Sequence, residues 1–212
     1  MDVLNEIKEN IIAGQADMVR ELVKKALNEG MNVEDVLNEG LILAMTVVGE
    51  RFERKEIYVP EVLFSARAMR AGLEILEPLL ISAGIEPKGK AITGTVKGDI
   101  HDIGKNLVGT MLKGAGFAII DLGVDVPPQR FVEGTQAEGA KLICISSLIT
   151  TSMPYMKTTI EALESAGLKG QVKTMVGGAV VTPKYADEIG ADGYAPNAAA
   201  AVARAKQLLG LD

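Results

Sequence analysis

A helical bundle followed by an open parallel α/β sheet is the fold class this 212-residue sequence predicts, and three observations predict it. The first 82 residues place apolar side chains at helical spacing in successive stretches separated by short polar turns. From Lys90 onward, short β-rich apolar runs alternate with helical runs of about a dozen residues, as strands covered on both faces do. The charge divides at the same place. Residues 1–82 carry fifteen acids and nine bases, while residues 83–212 carry thirteen of each, so the net −6 belongs to the first part.

Leu4, Ile7 and Ile11 define a helix over 2–12. Val19, Leu22, Val23, Ala26 and Leu27 define another over 16–28, stopped at Gly30. Asn32 stands before Val33-Glu34-Asp35 as an N-cap with acids in the first turn. The helix it opens is almost wholly apolar over 41–48, which predicts a central place in the bundle. A charged break follows over 49–56. Pro60 then suits the first turn of a helix carrying Val62, Leu63, Ala66, Met69, Leu73 and Leu76. Four or five helices result. Two roles fit the bulky Phe52, Tyr58 and Val59 at the junction: closing the bundle core, or forming an apolar lid over something bound to the second domain. Residues 83–90, with two glycines and a proline, read as a linker between a helical domain at 1–82 and an α/β domain at 91–212.

The second domain reads as five strands, at 90–96, 117–122, 141–146, 172–176 and 192–194. The helices fall at 103–113, 131–138, 156–165, 185–189 and 197–209. In such a sheet a ligand sits outside the C-terminal strand ends, where the strand order reverses. Three loops converge there, at 97–104, 146–152 and 177–178. The first holds His101, the only histidine in the protein, between Asp99 and Asp102. A carboxylate such as Asp99 fixes the tautomer through one ring nitrogen and leaves the other as a ligand or base. The second loop clusters five hydroxyls, suited to polar ligand edges, to holding the Asp99–His101 pair, or to capping the next helix. Gly177-Gly178 marks close backbone approach, to a ligand or within a tight turn.

Several chemistries are excluded. The sequence has no G-x-S-x-G nucleophile elbow, no dinucleotide fingerprint and no Walker-type phosphate loop. One histidine and one cysteine are too few for a zinc centre. Cys144 lies in an apolar run and reads as a small buried hydrophobe, without a disulfide framework. No coherent basic face favours nucleic acid, and no apolar run approaches a membrane span, so a cytoplasmic location is expected. What remains is an imidazole with an orienting carboxylate, suited to serve as a single axial ligand to a cofactor's own metal.

Asp99-x-His101-x-x-Gly104, then Ser146-x-Leu148, then Gly177-Gly178, resembles the cobalamin-binding motif of corrinoid proteins, methionine synthase and base-off B12-dependent mutases. Upstream, Val48-Gly49-Glu50-Arg51-Phe52, Ile57-Tyr58-Val59-Pro60 and Ser65-Ala66-Arg67 are similar to the helical cap of methionine synthase and of small methanogen and acetogen corrinoid proteins. The resemblance covers essentially the whole chain and implies a flavodoxin- or Rossmann-like second domain.

The resemblance implies that His101 replaces the dimethylbenzimidazole as lower ligand to the cobalt of a cobalamin or related corrinoid. Asp99 bonds its other nitrogen and Ser146 completes the relay. Asp102, Ile103, Gly104, Ser146, Leu148, Thr150, Gly177 and Gly178 contact the cofactor, largely around the displaced nucleotide tail. Phe52 and Val59 cap its upper, methyl-bearing face. The implied activity is methyl carriage, with methylcobalamin formed in turnover. The partners are a substrate-specific methyltransferase, an acceptor methyltransferase of the coenzyme M or tetrahydrofolate type, and a reductive activase. The alternative is a B12-binding sensor or regulatory subunit. Light-responsive regulators of that kind use a tryptophan over the upper face, and this chain has none.

Overall fold

The computed structural model describes residues 2–211. The chain divides into two compact units, one of Met1–Pro87 with Gly114–Gly116, the other of Lys88–Lys113 with Phe117–Asp212.

The first unit runs through α1 (Val3–Ile12), α2 (Ala16–Asn28), α3 (Val33–Asp35), a π-helical segment (Val36–Ile42), α4 (Leu43–Glu53) and α5 (Val59–Ser82). Asp2 caps α1, and the Asn32 carboxamide accepts from the Glu34 N–H at 2.8 Å to cap α3. Val3, Ile7 and Ile11 bury one stripe of α1, and Val19, Leu22, Val23 and Ala26 bury one of α2. The stripe on α5 is built from Val62, Ser65, Met69, Gly72, Leu76 and Leu80. A Cβ on Gly72 would come within 3.1 Å of Val19 and 3.3 Å of Leu41, so a bare backbone lets these helices close up. The Ser65 hydroxyl donates to the Ile12 carbonyl at 3.2 Å, satisfying an acceptor that the end of α1 leaves open.

Three expectations change here. Residues 49–53 continue α4, and the chain turns only at Arg54-Lys55, because a charged stretch on a solvent face does not end a helix. The helix after Asn32 is not α-helical throughout: the Leu43 N–H reaches the Asn38 carbonyl five residues back. Leu63 is exposed and Leu73 half-buried, since α5 packs on its small residues Ser65, Ala68 and Gly72. Phe52 and Val59 are half-buried and Tyr58 is exposed, so none belongs to the fully buried bundle core.

The second unit alternates β1 (Lys90–Thr95), α6 (Ile103–Gly114), β2 (Ala118–Asp121), α7 (Pro128–Glu138) and β3 (Leu142–Ser146). It continues with α8 (Pro154–Ser165), β4 (Lys173–Gly177), α9 (Pro183–Glu188), β5 (Gly193–Tyr194) and α10 (Ala198–Leu209). Lys90, expected at the linker's end, opens β1. The sheet order is β2-β1-β3-β4-β5 and every pairing is parallel. This is the flavodoxin-like order, with its reversal between β1 and β3.

The alternation along each strand divides the sheet into two faces. Ile92, Ile143, Ile145 and Val176 pack with Phe131 of α7 and Met156 and Ile160 of α8. The opposite face carries two rows set by register. Thr93, Cys144 and Met175 stand side by side, and Thr95, Ser146 and Gly177 form the next row toward the C-terminal edge. Register thus brings residues from three distant stretches into one line. Among the described residues no helix is long and apolar enough to cross a membrane.

Candidate functional site

Beyond β1 the chain turns at Gly98, whose φ of +80° is in the region glycine adopts freely. The Asp125 carboxylate accepts the Gly98 N–H at 2.7 Å, and the Asp99 carbonyl accepts the Asp125 N–H at 2.9 Å. These bonds hold the Asp99 side chain inside the loop, with the residue only 1% exposed. Its Oδ1 accepts from the His101 backbone N–H at 3.0 Å and lies 2.7 Å from the ring Nδ1. Its Oδ2 accepts from the Leu148 N–H at 2.7 Å and from the Ser152 hydroxyl at 3.1 Å.

Burial by itself would raise the pKa of Asp99. The His101 and Leu148 backbone bonds, with those from the His101 ring and Ser152, outweigh it and hold the carboxyl at about 2. At neutral pH Asp99 is therefore an acceptor only, and Nδ1 must carry the proton. In the neutral ring the available lone pair is then on Nε2. The His101 side chain is 50% exposed, and the Thr95 hydroxyl anchors its backbone carbonyl at 2.8 Å.

Ser146 is not the residue that completes this relay. Asp99 takes its hydroxyl bond from Ser152, which also lies 2.7 Å from the Ser147 hydroxyl. The reason is geometric: Ser146 ends β3 in the row beside Thr95 and Gly177, whereas the turn at 149–153 brings Ser152 back over Asp99. Thr150 is exposed on that turn and does not line the adjoining cavity.

That cavity, about 610 Å³, opens beside His101 between the sheet and helices α6 and α10. Thr93, Cys144 and Met175 form its inner row, and Val108, Ala198 and Ala201 face them. Asp102, Ile103, Gly104, Ser146, Leu148, Gly177 and Gly178 all line it. The Asp102 carboxylate accepts from the Asn106 side chain at 3.0 Å in the first turn of α6, and Ile103 is largely exposed. Gly178 has φ +131°, and a Cβ there would land on the Ser147 carbonyl, so no other residue fits. A Cβ on Gly104 would meet no protein atom within 4 Å, so glycine there keeps the cavity wall clear.

The buried Lys105, beside this cavity, was not singled out by its sequence context. Its Nζ lies 2.6 Å from both Asp121 oxygens and 2.6 Å from the Asn106 carboxamide oxygen. Ser152 stood in sequence as one hydroxyl among five, and only the turn distinguishes it.

Among the described residues no cluster of three or more histidine, cysteine or acidic side chains can enclose a metal. A metal held here has one protein nitrogen and must bring its other ligands with it. One imidazole with Nε2 unbonded, an adjoining cavity of this volume, and glycines keeping it open fit a corrinoid with a detachable nucleotide tail.

Comparison with known proteins agrees with this fit. Residues 89–203 match the family described as B12 binding domain, and residues 3–77 match a second family with the same description. The chain is 44% identical to a corrinoid protein of Desulfitobacterium hafniense, over 99% of each. It is also 44% identical to the dimethylamine corrinoid protein of Methanosarcina barkeri, over 98% of each. Among solved structures, a chain of the methanol:cobalamin methyltransferase complex of Methanosarcina barkeri superposes with a TM-score of 0.90 at 29% identity, covering 99% of this chain and 80% of that one. The chain belongs to the corrinoid protein family, joining a helical and an α/β B12-binding domain, and its cofactor is a cobalamin-type corrinoid.

Proposed function

We propose that this chain is a methyl carrier that works between two methyltransferases, in which His101 Nε2 would be the protein atom that holds the corrinoid cobalt. The observation that carries the reading is the 2.7 Å contact of His101 Nδ1 with a buried, ionised Asp99, which leaves Nε2 for a metal. When bound, the corrinoid supplies the cobalt that takes up and gives off the methyl group. The protein's part is ligation, orientation and shielding.

Asp99 sets the ring orientation and, held ionised by its four donors, keeps Nδ1 engaged so that Nε2 would be the atom that holds the metal. Ser152 and the Leu148 N–H keep the carboxylate fixed against the ring. Gly104, Ser146, Gly177 and Gly178 bound the slot for the nucleotide tail, with Asp102, Ile103 and Leu148 at its opening. By the resemblance, Phe52 and Val59 are the residues that would shield the methyl group from water.

Methylamines are the donor class we infer, because relatives matched along nearly their whole length are named as dimethylamine and trimethylamine corrinoid proteins. The partners are then a methylamine-specific methyltransferase and an acceptor methyltransferase acting on a thiol or a tetrahydropterin, with a reductive activase, in the cytoplasm. The test supplies dimethylamine with a labelled methyl group, its methyltransferase, and this protein loaded with reduced cobalamin. The label should travel with the protein fraction and leave when a thiol methyltransferase and its thiol are added. Label that never transfers to the loaded protein would overturn the carrier role.

A further inference from the structure

The structure assigns the tail slot to an alkyl-substituted benzimidazole in preference to a purine. The proposal rests on the corrinoid site described above and concerns which corrinoid it takes. Corrinoids of this type share the ring and differ in the aromatic base of the nucleotide tail. A purine carries ring nitrogens and an exocyclic amine that need hydrogen-bond partners when buried, whereas a dimethylbenzimidazole presents methyl groups at the corresponding edge.

The slot grades from polar to apolar. Ser146 and Asn197 stand on its lining toward the C-terminal strand edge, where a hydroxyl and an amide can donate to a ribose or phosphate, and Asp102 beside them can accept from a ribose hydroxyl. Two residues deeper along β3 and β4, the inner row offers Cys144 and Met175, faced by Val108 and Ala201. Burial keeps the Cys144 thiol neutral, so it acts as a small hydrophobe with a weak donor. Thr93 is the one hydroxyl in this row, and it donates its only proton to Asp121. The three Lys105 N–H groups go to the Asp121 oxygens and to Asn106.

The backbone is equally committed. Parallel ladder pairing occupies β1, β3 and β4 through this row, and the Val96 and Ala195 N–H groups take the Ser146 and Val176 carbonyls. Among the described residues no buried side-chain nitrogen or oxygen lacks a partner. The ring nitrogens of a purine would therefore find no side-chain donor at the inner row, while methyl groups would pack on Met175 and Ala201.

The experiment titrates the intact protein with hydroxocobalamin, with its adenine-tailed analogue, and with cobinamide, which lacks the nucleotide. Visible spectra report binding. Each constant is corrected for the base-on to base-off equilibrium of the free corrinoid in the same buffer. The expected result is a corrected Kd at least tenfold lower for the benzimidazole form than for the adenine form, a difference of about 1.4 kcal/mol. Met175→Gln, which places an amide in the inner row, should narrow that ratio. Equal affinities, or a preference for adenine, would overturn the proposal while leaving the corrinoid site standing. Benzimidazole binding no tighter than cobinamide would overturn it by showing that the tail lies elsewhere. Failure of all three ligands to bind would instead remove the site on which it rests.

Discussion

Two aspartates stand at the C-terminal ends of neighbouring strands and are held in opposite ways. Asp99, just beyond β1, is buried and receives four hydrogen bonds, none from lysine or arginine. Asp121, the last residue of β2, has a side chain 47% exposed and pairs with a Lys105 side chain only 3% exposed. Burial would raise the pKa of Asp121, but the bonds from Lys105, the Gly123 N–H and Thr93 lower it overall. Asp121 neutralises a buried amine and ties α6 to the sheet edge. Asp99 has no fixed cation beside it, so its charge acts on the imidazole and on whatever the imidazole binds. One carboxylate maintains the fold around the slot, and the other is reserved for the histidine.

The largest expected break of this contrast is Asp121→Ala. It leaves the Lys105 amine buried with only Asn106 for a partner and should cost about 3 kcal/mol in urea unfolding, at the low end for a broken buried pair because Asp121 is partly solvated. The His101–Asp99 bond should survive, visible as an unchanged histidine side-chain NMR signature in the folded variant.

Acid separates the two sites next. The Asp99 pKa is lowered from its ordinary value of 3.8 to about 2, so the stability it contributes is present above pH ~4 and lost as pH falls through ~2. This contribution is about 2 kcal/mol for a group so buried. Asp121 and Asp192, both lowered, act in the same direction. Asp99→Asn should flatten the Asp99 part of the acid transition and leave the rest, as measured by unfolding free energy against pH.

The smallest effect sharpens the comparison within the relay. Ser152→Ala removes one donor to Asp99 and should cost about 1 kcal/mol, with the Asp99 pKa moving up in carboxyl-carbon NMR titration. Ser146→Ala should leave that titration unchanged. The reverse pattern would restore Ser146 to the relay.

The sheet and the approximate position of every strand were legible because β-rich apolar runs and helical runs alternate plainly from Lys90 onward. The site loops were legible for a related reason: His101 is the only imidazole in the chain, and Gly177-Gly178 stands at the end of a β-rich run, Gly177 closing β4. What was not legible depends on three-dimensional return. Ser152 lies six residues past the end of β3 and reaches Asp99 only because the turn at 149–153 doubles back. Thr93, Cys144 and Met175 come from three distant strands, and only the register of β1, β3 and β4 places them in one row. On α5, the apolar bulk of Leu63 and Leu73 suggested one face, while close packing selected the face with Ser65 and Gly72.

The central claim is that His101 Nε2 is the protein ligand to cobalt. Because the chain has a single histidine, 15N-histidine labelling reports on that residue alone. The decisive measurement is the electron paramagnetic resonance of the cobalt(II) state after loading with cobalamin, for unlabelled protein, 15N-histidine protein and His101→Ala. The account predicts nitrogen splitting that changes with the label and is absent from the His101→Ala spectrum, with the nucleotide base detached in the wild type. Splitting insensitive to the label, or the same in wild type and His101→Ala, would contradict it.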